Sequence, residues 1–102
     1  MKRLEDLRMP VLLVSVNGII VYASRRAQQV LLDVDVTDMP IECFVVDWTR
    51  KRPTRPDPTT SKIEMIFRDG RYLTVCAAVF QMRYDGALVS GIAFSPSSES
   101  TF

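Results

Sequence analysis

The sequence predicts an α+β domain of five strands with a helical insertion after the second strand. Three turn signals divide the apolar runs of the chain: Asn17-Gly18, Asp69-Gly70 and Asp85-Gly86. Such dipeptides favour tight hairpin turns because both central residues of the preferred turn take positive φ. The apolar runs beside the turns are the predicted strands, and the segment after the first hairpin has helical apolar spacing.

Length and charge restrict the protein class. The chain has 102 residues, which is one domain, with 13 basic and 12 acidic residues and a net charge of +1. This balance gives no reason to expect nucleic acid or an anionic membrane as a partner. No run approaches the roughly 20 apolar residues of a membrane span, and the first residues do not resemble a signal peptide. We therefore expect a cytoplasmic location.

The first hairpin follows a short extension. Residues 1–9 are predicted to form a helical extension that ends before Pro10, because a proline disfavours helix in the residue before it. Val11 to Val16 is apolar on both faces and predicts a central strand, and Ile19 to Ala23 is its partner.

One helix, and then a second short one, is predicted after this hairpin. Ser24 is a suitable N-cap, and the helical apolar face that follows is Ala27, Val30, Leu31 and Val34. A second short helix would carry Ile41, Phe44, Val45 and Trp48, although Cys43 to Val46 fits a strand equally well.

A basic, proline-rich segment comes next. Three prolines, at positions 53, 56 and 58, exclude a regular helix and predict a long extended loop from Asp47 to Lys62. Its basic residues are Arg50, Lys51, Arg52 and Arg55. They fit either a solvated loop or a landing site for an acidic protein surface or a phosphate group.

The last third predicts a three-stranded meander. Ile63, Met65 and Phe67 alternate with polar residues, as in an edge strand. The strands predicted at 72–83 and 87–94 are apolar on both faces, and Gly91 marks a bend or a close backbone approach. Residues 1–95 would form the domain, and 96–102 have the composition of a linker.

These elements together resemble a PAS domain, the sensor and interaction fold of bacterial two-component and cyclic-dinucleotide proteins. The resemblance rests on 11–24, on the helix that follows, on 68–72 and on 85–91. Family members often have Asp at the position of Ser15, Asn at Ser24 and Gly at Asp33, so the chain resembles a degenerate, PAS-like member. The resemblance implies a five-stranded antiparallel sheet with short helices on one face.

No cofactor is expected. Haem-binding PAS domains usually have a histidine ligand, and the chain has no histidine. Photoactive flavin-binding members have their cysteine in an Asn-Cys-Arg-Phe-Leu context, whereas Cys43 lies in Ile-Glu-Cys-Phe-Val. Cys43 and Cys76 both lie in apolar runs and are predicted to be buried. Clustered zinc ligands are also missing from the sequence, so no metal is expected.

The sequence does not predict an enzyme. Without histidine, neither a Ser-His nor a Cys-His dyad can form. The acids of the middle segment, which are Asp33, Asp35, Asp38, Glu42 and Asp47, fit roles as caps or as solvated surface.

The first functional hypothesis is a cofactor-free protein-interaction domain of a larger signalling protein. The sheet is apolar on both faces, so its second face must be covered. The cover is either the chain's own Leu4, Leu7 and Met9, or a protein partner, including a second copy in a homodimer. The interface candidates are Leu4, Leu7, Trp48, Arg50, Arg52, Leu73, Val75 and Val79. One family case is the docking of a signal-synthesising enzyme to a fatty-acid-signal (quorum-sensing) receptor linked to cyclic-di-GMP, although no motif selects it.

The alternative hypothesis is a sensor of a small-molecule ligand, either apolar or a metabolite. Its pocket would lie between the sheet and the helices. The pocket candidates are Val30, Phe44, Cys76, Ala78 and Phe80.

Overall fold

The chain forms one antiparallel sheet with its short helices on one side. A computed structural model describes residues 10–31, 34–55, 57–67 and 70–94. The elements are β1 Val11–Val14, β2 Ile20–Ala23, α1 Arg25–Leu31, a 3₁₀ turn Ile41–Cys43, α2 Trp48–Lys51, β3 Thr59–Ile66, β4 Tyr72–Tyr84 and β5 Ala87–Phe94. The five strands have the order β2-β1-β5-β4-β3 and every neighbouring pair is antiparallel. The predicted α+β class is confirmed, with β3 at an edge. The predicted extension 1–9 and linker 96–102 lie outside the described residues.

The β4–β5 hairpin has the predicted two-residue turn. Asp85 and Gly86 have φ of 53° and 81°, and Tyr84 pairs with Ala87 across the turn. Positive φ at both central residues is the conformation for which an Asp-Gly pair is suited. This prediction is confirmed.

The β1–β2 hairpin has a longer turn than predicted. Gly18 has a φ of 79°, but Asn17 is not among the described residues with positive φ. The Gly18 N–H donates to the Ser15 oxygen at 2.9 Å, and the Ser15 N–H donates to the Ile19 oxygen at 2.8 Å. This pattern is a three-residue loop with glycine in its left-handed position. The prediction for Asn17 was wrong because an Asn-Gly pair fits both kinds of turn.

Ser24 anchors the start of α1. Its buried hydroxyl accepts the Ala27 N–H at 3.2 Å and the Val11 N–H at 3.0 Å. The predicted N-cap is therefore confirmed, and the same oxygen also holds the first residue of β1. The helical face is shorter than predicted, because the described helix ends at Leu31 and Val34 is 55% exposed.

The segment between α1 and β3 contains both structures that the sequence left open. The 3₁₀ turn ends at Cys43, and Val45 then forms a bridge with Met65 of β3. A left-handed Asp47, with φ of 62°, separates this bridge from α2.

The long loop predicted from Asp47 to Lys62 is wrong at both ends. One helical turn, α2, occupies its start, and β3 begins at Thr59. The prolines exclude regular structure only where they occur, and the residues from Thr59 onward pair with β4. The described irregular residues are 52–55 and 57–58, and the segment between the two elements is called below the α2–β3 loop.

Two hydrophobic clusters lie on opposite faces of the sheet. The larger one fills the inner face, which is the face covered by α1 and α2, and its helical members are Ala27, Leu31 and Trp48. Leu12 and Val14 of β1 point into this cluster, whereas Val11 and Leu13 point to the outer face. Both faces are apolar, as predicted.

Candidate interaction surfaces

The outer face has an apolar patch. Val11, Leu13 and Val89 are each at most 3% exposed, and five partly buried side chains pack against them. We call these five the outer patch: Val21, Tyr22, Met82, Tyr84 and Ala93. Contiguous, partly exposed apolar surface on a folded domain is typical of a protein interface.

Two tyrosines lie across this face. The rings of Tyr22 and Tyr84 have centroids 5.9 Å apart and planes inclined by 46°. They come from β2 and β4, which are separated in the sheet by β1 and β5. The tilted ring contact therefore covers the middle strands with aromatic surface that stays partly accessible.

Gly91 makes the close approach that the sequence predicted. Phe80 of β4 is directly opposite Gly91 of β5. A Cβ atom on Gly91 would overlap the Phe80 ring. The ring therefore lies against the backbone of Gly91 on the outer face, in space that the side chain of any other residue at position 91 would occupy.

Most of the predicted interface residues do not lie on the outer face. Leu73, Val75 and Val79 belong to or pack against the inner cluster, and Val75 is 1% exposed. Trp48 is also buried there and closes the core. The sequence showed that both faces of β4 are apolar but not which one faces the helices. These four residues are corrected to core positions.

Of the four remaining interface candidates, two are at the surface and two lie outside the described residues. Arg50 and Arg52 are exposed. Leu4 and Leu7 lie outside the described residues.

The pocket predicted between sheet and helices does not form from the residues proposed for it. Val30 and Phe44 lie on the inner side. Cys76, Ala78 and Phe80 alternate along β4 with the buried Val75, Ala77 and Val79, and so point to the outer face. The prediction assigned the wrong set of alternate β4 residues to the inner face. The sequence pattern allows either set to face the helices, because both are apolar.

The two cysteines are exposed, against the prediction. Cys76 lies on the outer face and pairs with Lys62 of the edge strand β3. Cys43 ends the 3₁₀ turn with its side chain outward. The apolar neighbours that suggested burial occupy the other sides of these elements.

A second candidate surface is a basic cleft of about 520 Å³ beside the α2–β3 loop. Four cationic side chains line it: Arg50, Lys51, Arg52 and Arg55. Hydroxyl groups and two apolar side chains complete the lining: Thr54, Thr59, Ser61, Pro53 and Val79. We call this the basic cleft.

The charge of the basic cleft is mostly uncompensated. Arg50 is 3.9 Å from Asp47, in an exposed pair of the kind that contributes little. Within the described part of the chain, no ion pair involves Lys51, Arg52 or Arg55. None of the acidic residues that the structure describes lines the cleft. A chain with net charge +1 thus concentrates positive charge in one concave place.

A smaller cleft of about 290 Å³ lies on the other side of the α2–β3 loop. Its lining includes Trp48, Gln81 and Leu88. Between the two clefts, the Gln81 side-chain amide donates to the Pro53 carbonyl at 3.3 Å. This hydrogen bond fixes the beginning of the loop to β4.

One acid of the middle segment, Asp35, has a structural hydrogen bond. The Thr37 N–H donates to the Asp35 carboxylate at 2.9 Å, and hydrogen bonds from Thr37 lower the pKa of Asp35. Among the described residues, no group of three or more His, Cys, Asp or Glu side chains could hold a metal ion.

The sequence missed the residues that form the outer patch. Tyr22 and Met82 were predicted only as members of strands, and Tyr84 lay outside the strand predicted at 72–83. The signal that identifies them is the strand alternation combined with the register of β4 against β5, in which Met82 is opposite Val89.

Comparisons with known proteins identify the fold. No family model matches the chain, and no curated protein matches it. Solved structures do. The PAS domain of nitrogen regulation protein NR(II) from Vibrio parahaemolyticus has a TM-score of 0.70 and 15% identity, with 89% of this chain and 91% of that chain covered. The PAS domain of an HTR-like protein from Haloarcula marismortui has a TM-score of 0.68 and 15% identity, with 88% and 82% covered.

A PAS domain from a two-component sensor histidine kinase gives a similar match. Its TM-score is 0.69 at 13% identity, and 88% of this chain and 86% of that chain are covered. In the part of this chain that the structure describes, no helix is long and apolar enough to cross a membrane. The element order, the sheet and these matches agree, and the chain has the PAS fold.

Proposed function

We propose that the chain is a cofactor-free protein-interaction domain of a signalling protein, which self-associates through the outer face of its sheet. The outer patch is the observation that carries this proposal. Five apolar or aromatic side chains stay partly exposed there, over residues that are fully buried. Aromatic residues and methionine are enriched in protein interfaces.

A second copy of the chain is the partner that the patch fits best. Two copies related by a two-fold axis would present the same apolar side chains to each other, which needs no complementary charge. Docking of a signal-synthesising enzyme to a receptor linked to cyclic-di-GMP would use the same face. It is distinguished from self-association by the experiment below.

The test places a charge in the patch. Met82→Glu should dissociate the dimer, because an unpaired carboxylate buried in an apolar interface costs several kcal/mol, whereas a solvated one costs little. Tyr84→Glu is a second variant at the same surface. Cys76→Glu is the matched control, since Cys76 is an exposed residue of the same strand and face outside the patch, and the residue opposite it is Lys62. Sedimentation equilibrium gives the oligomeric state, and circular dichroism reports the fold.

We expect a wild-type dimer, a dimeric Cys76→Glu variant and folded monomers for the two patch variants. A monomeric wild type that binds no second copy at high concentration would contradict self-association. In that case a variant with both Leu4→Glu and Leu7→Glu tests whether the chain's own first residues cover the outer face. If they do, the double variant should be a less stable monomer than the wild type.

The sensor hypothesis with an apolar pocket loses its support. Three of its five residues lie on the opposite face of the sheet from the other two. No observation favours an apolar ligand between sheet and helices.

A further inference from the structure

We propose that the basic cleft binds a small molecule that carries two or more phosphate groups. The inference rests on the cleft itself and is independent of self-association through the outer face. The cleft lies beside α2 and the start of β3, and none of its lining residues belongs to the outer patch.

The composition of the lining selects an anion. Among the described residues, three guanidinium groups and one ammonium group surround a space that no carboxylate lines. Guanidinium groups bind phosphate with paired hydrogen bonds, and such charge-assisted bonds are the strong ones. The hydroxyls of Thr54 and Ser61 add neutral donors at the wall, whereas the Thr59 hydroxyl donates to the Asp57 carbonyl.

The number and spread of the cations select a ligand of more than one charge. Arg50 and Lys51 are on α2, whereas Arg52 and Arg55 are on the α2–β3 loop. A single phosphate is too small to contact all four side chains across about 520 Å³. This volume lies within the range of small-molecule sites, roughly 300 to 1,000 Å³.

The lining also indicates that the ligand does not need an aromatic base. No aromatic side chain in the described part of the chain lines the basic cleft, so a nucleobase would find no stacking surface among these residues. Trp48 lines only the smaller cleft on the other side of the loop. We therefore favour a compact polyphosphate over a nucleotide, and a small molecule over an acidic peptide.

The experiment measures binding of tripolyphosphate to the full chain by isothermal titration calorimetry. Arg52→Gln combined with Arg55→Gln removes two exposed cations of the cleft. Arg25→Gln combined with Arg26→Gln is the matched control, because these two arginines are exposed on α1 and give the same change in net charge. Amide chemical shifts in NMR spectra locate the site.

We expect saturable binding to the wild type that weakens as salt is added. The cleft variant should bind at least about tenfold more weakly, and the control should bind as the wild type does. The amide shifts should lie in 50–61 and around Val79.

Three results would overturn the proposal. One is the absence of saturable binding at low salt. Another is an equal loss in both double variants, which would show a general effect of net charge. The third is that hexaglutamate binds more tightly than tripolyphosphate and that the cleft variant loses affinity for hexaglutamate. This result would assign the cleft to an acidic peptide. None of these outcomes changes the oligomeric state measured for the outer face.

Discussion

The two faces of the sheet are both apolar but are buried in different ways. On the inner face, residues such as Val75 and Ile92 are covered by α1, the middle segment and α2. On the outer face, Leu13 is equally buried, but the side chains packed on it, Tyr22 among them, remain partly accessible. An apolar strand face is thus evidence for burial, while the covering element decides whether that burial makes a core or a surface for a partner.

The largest expected difference between the faces is in the loss of stability that one introduced carboxylate causes at each of two neighbouring residues of β4. Val75→Glu should unfold the domain or cost about 3 kcal/mol or more, because the carboxylate enters a dry core without a partner. Cys76→Glu points to the exposed outer side opposite Lys62 and should change stability by less than about 0.5 kcal/mol. Urea denaturation of both variants measures the two values. Similar losses in both would contradict the assignment of the faces.

A second prediction concerns the contact between Gly91 and Phe80 on the outer face. Gly91→Ala should destabilise by about 1 to 3 kcal/mol, because the added methyl group overlaps the Phe80 ring. Phe80→Ala removes the obstacle, so the double variant should be more stable than the sum of the single effects predicts. Thermal denaturation of the four proteins gives the coupling energy. Additive effects would show that the ring moves away freely.

The third and smallest effect tests the cap that holds α1 over the inner face. Ser24→Ala leaves two N–H groups, those of Ala27 and Val11, without their acceptor and should cost about 1 to 2 kcal/mol. Ser15→Ala is the matched control, since its hydroxyl also accepts two N–H groups, but at 3.3 Å in a more exposed turn.

The Ser15 variant should lose less, because water can replace its hydroxyl. Chemical denaturation compares the two variants. An equal loss at both sites would mean that burial of Ser24 adds nothing to its role.

The sequence predicted the local features of the fold well because their causes are local. A Gly in the left-handed region, as at Gly86, and a hydroxyl before a helix, as at Ser24, are decided by the residues themselves. The α+β class and the edge position of β3 followed from the turn spacing and the strand alternation.

The features that depend on long-range packing were missed. The parity of β4 decides whether Val79 or Phe80 faces the helices, and neither apolar pattern nor propensity distinguishes the two. The outer patch needed the same information. The basic residues of the α2–β3 loop were visible as a cluster, but their arrangement around a cleft depends on how the loop returns to β3.

The hydrogen bond from Gln81 to the Pro53 carbonyl has a consequence for ligand affinity. Pro53 has a ring-restricted φ, and its carbonyl is held by a residue 28 positions away in the chain. The backbone that carries Arg52 and Thr54 is therefore ordered when the domain folds, not when a ligand arrives. The conformational entropy of this part of the loop is lost before binding, so more of the attraction of the cations remains available to hold an anion.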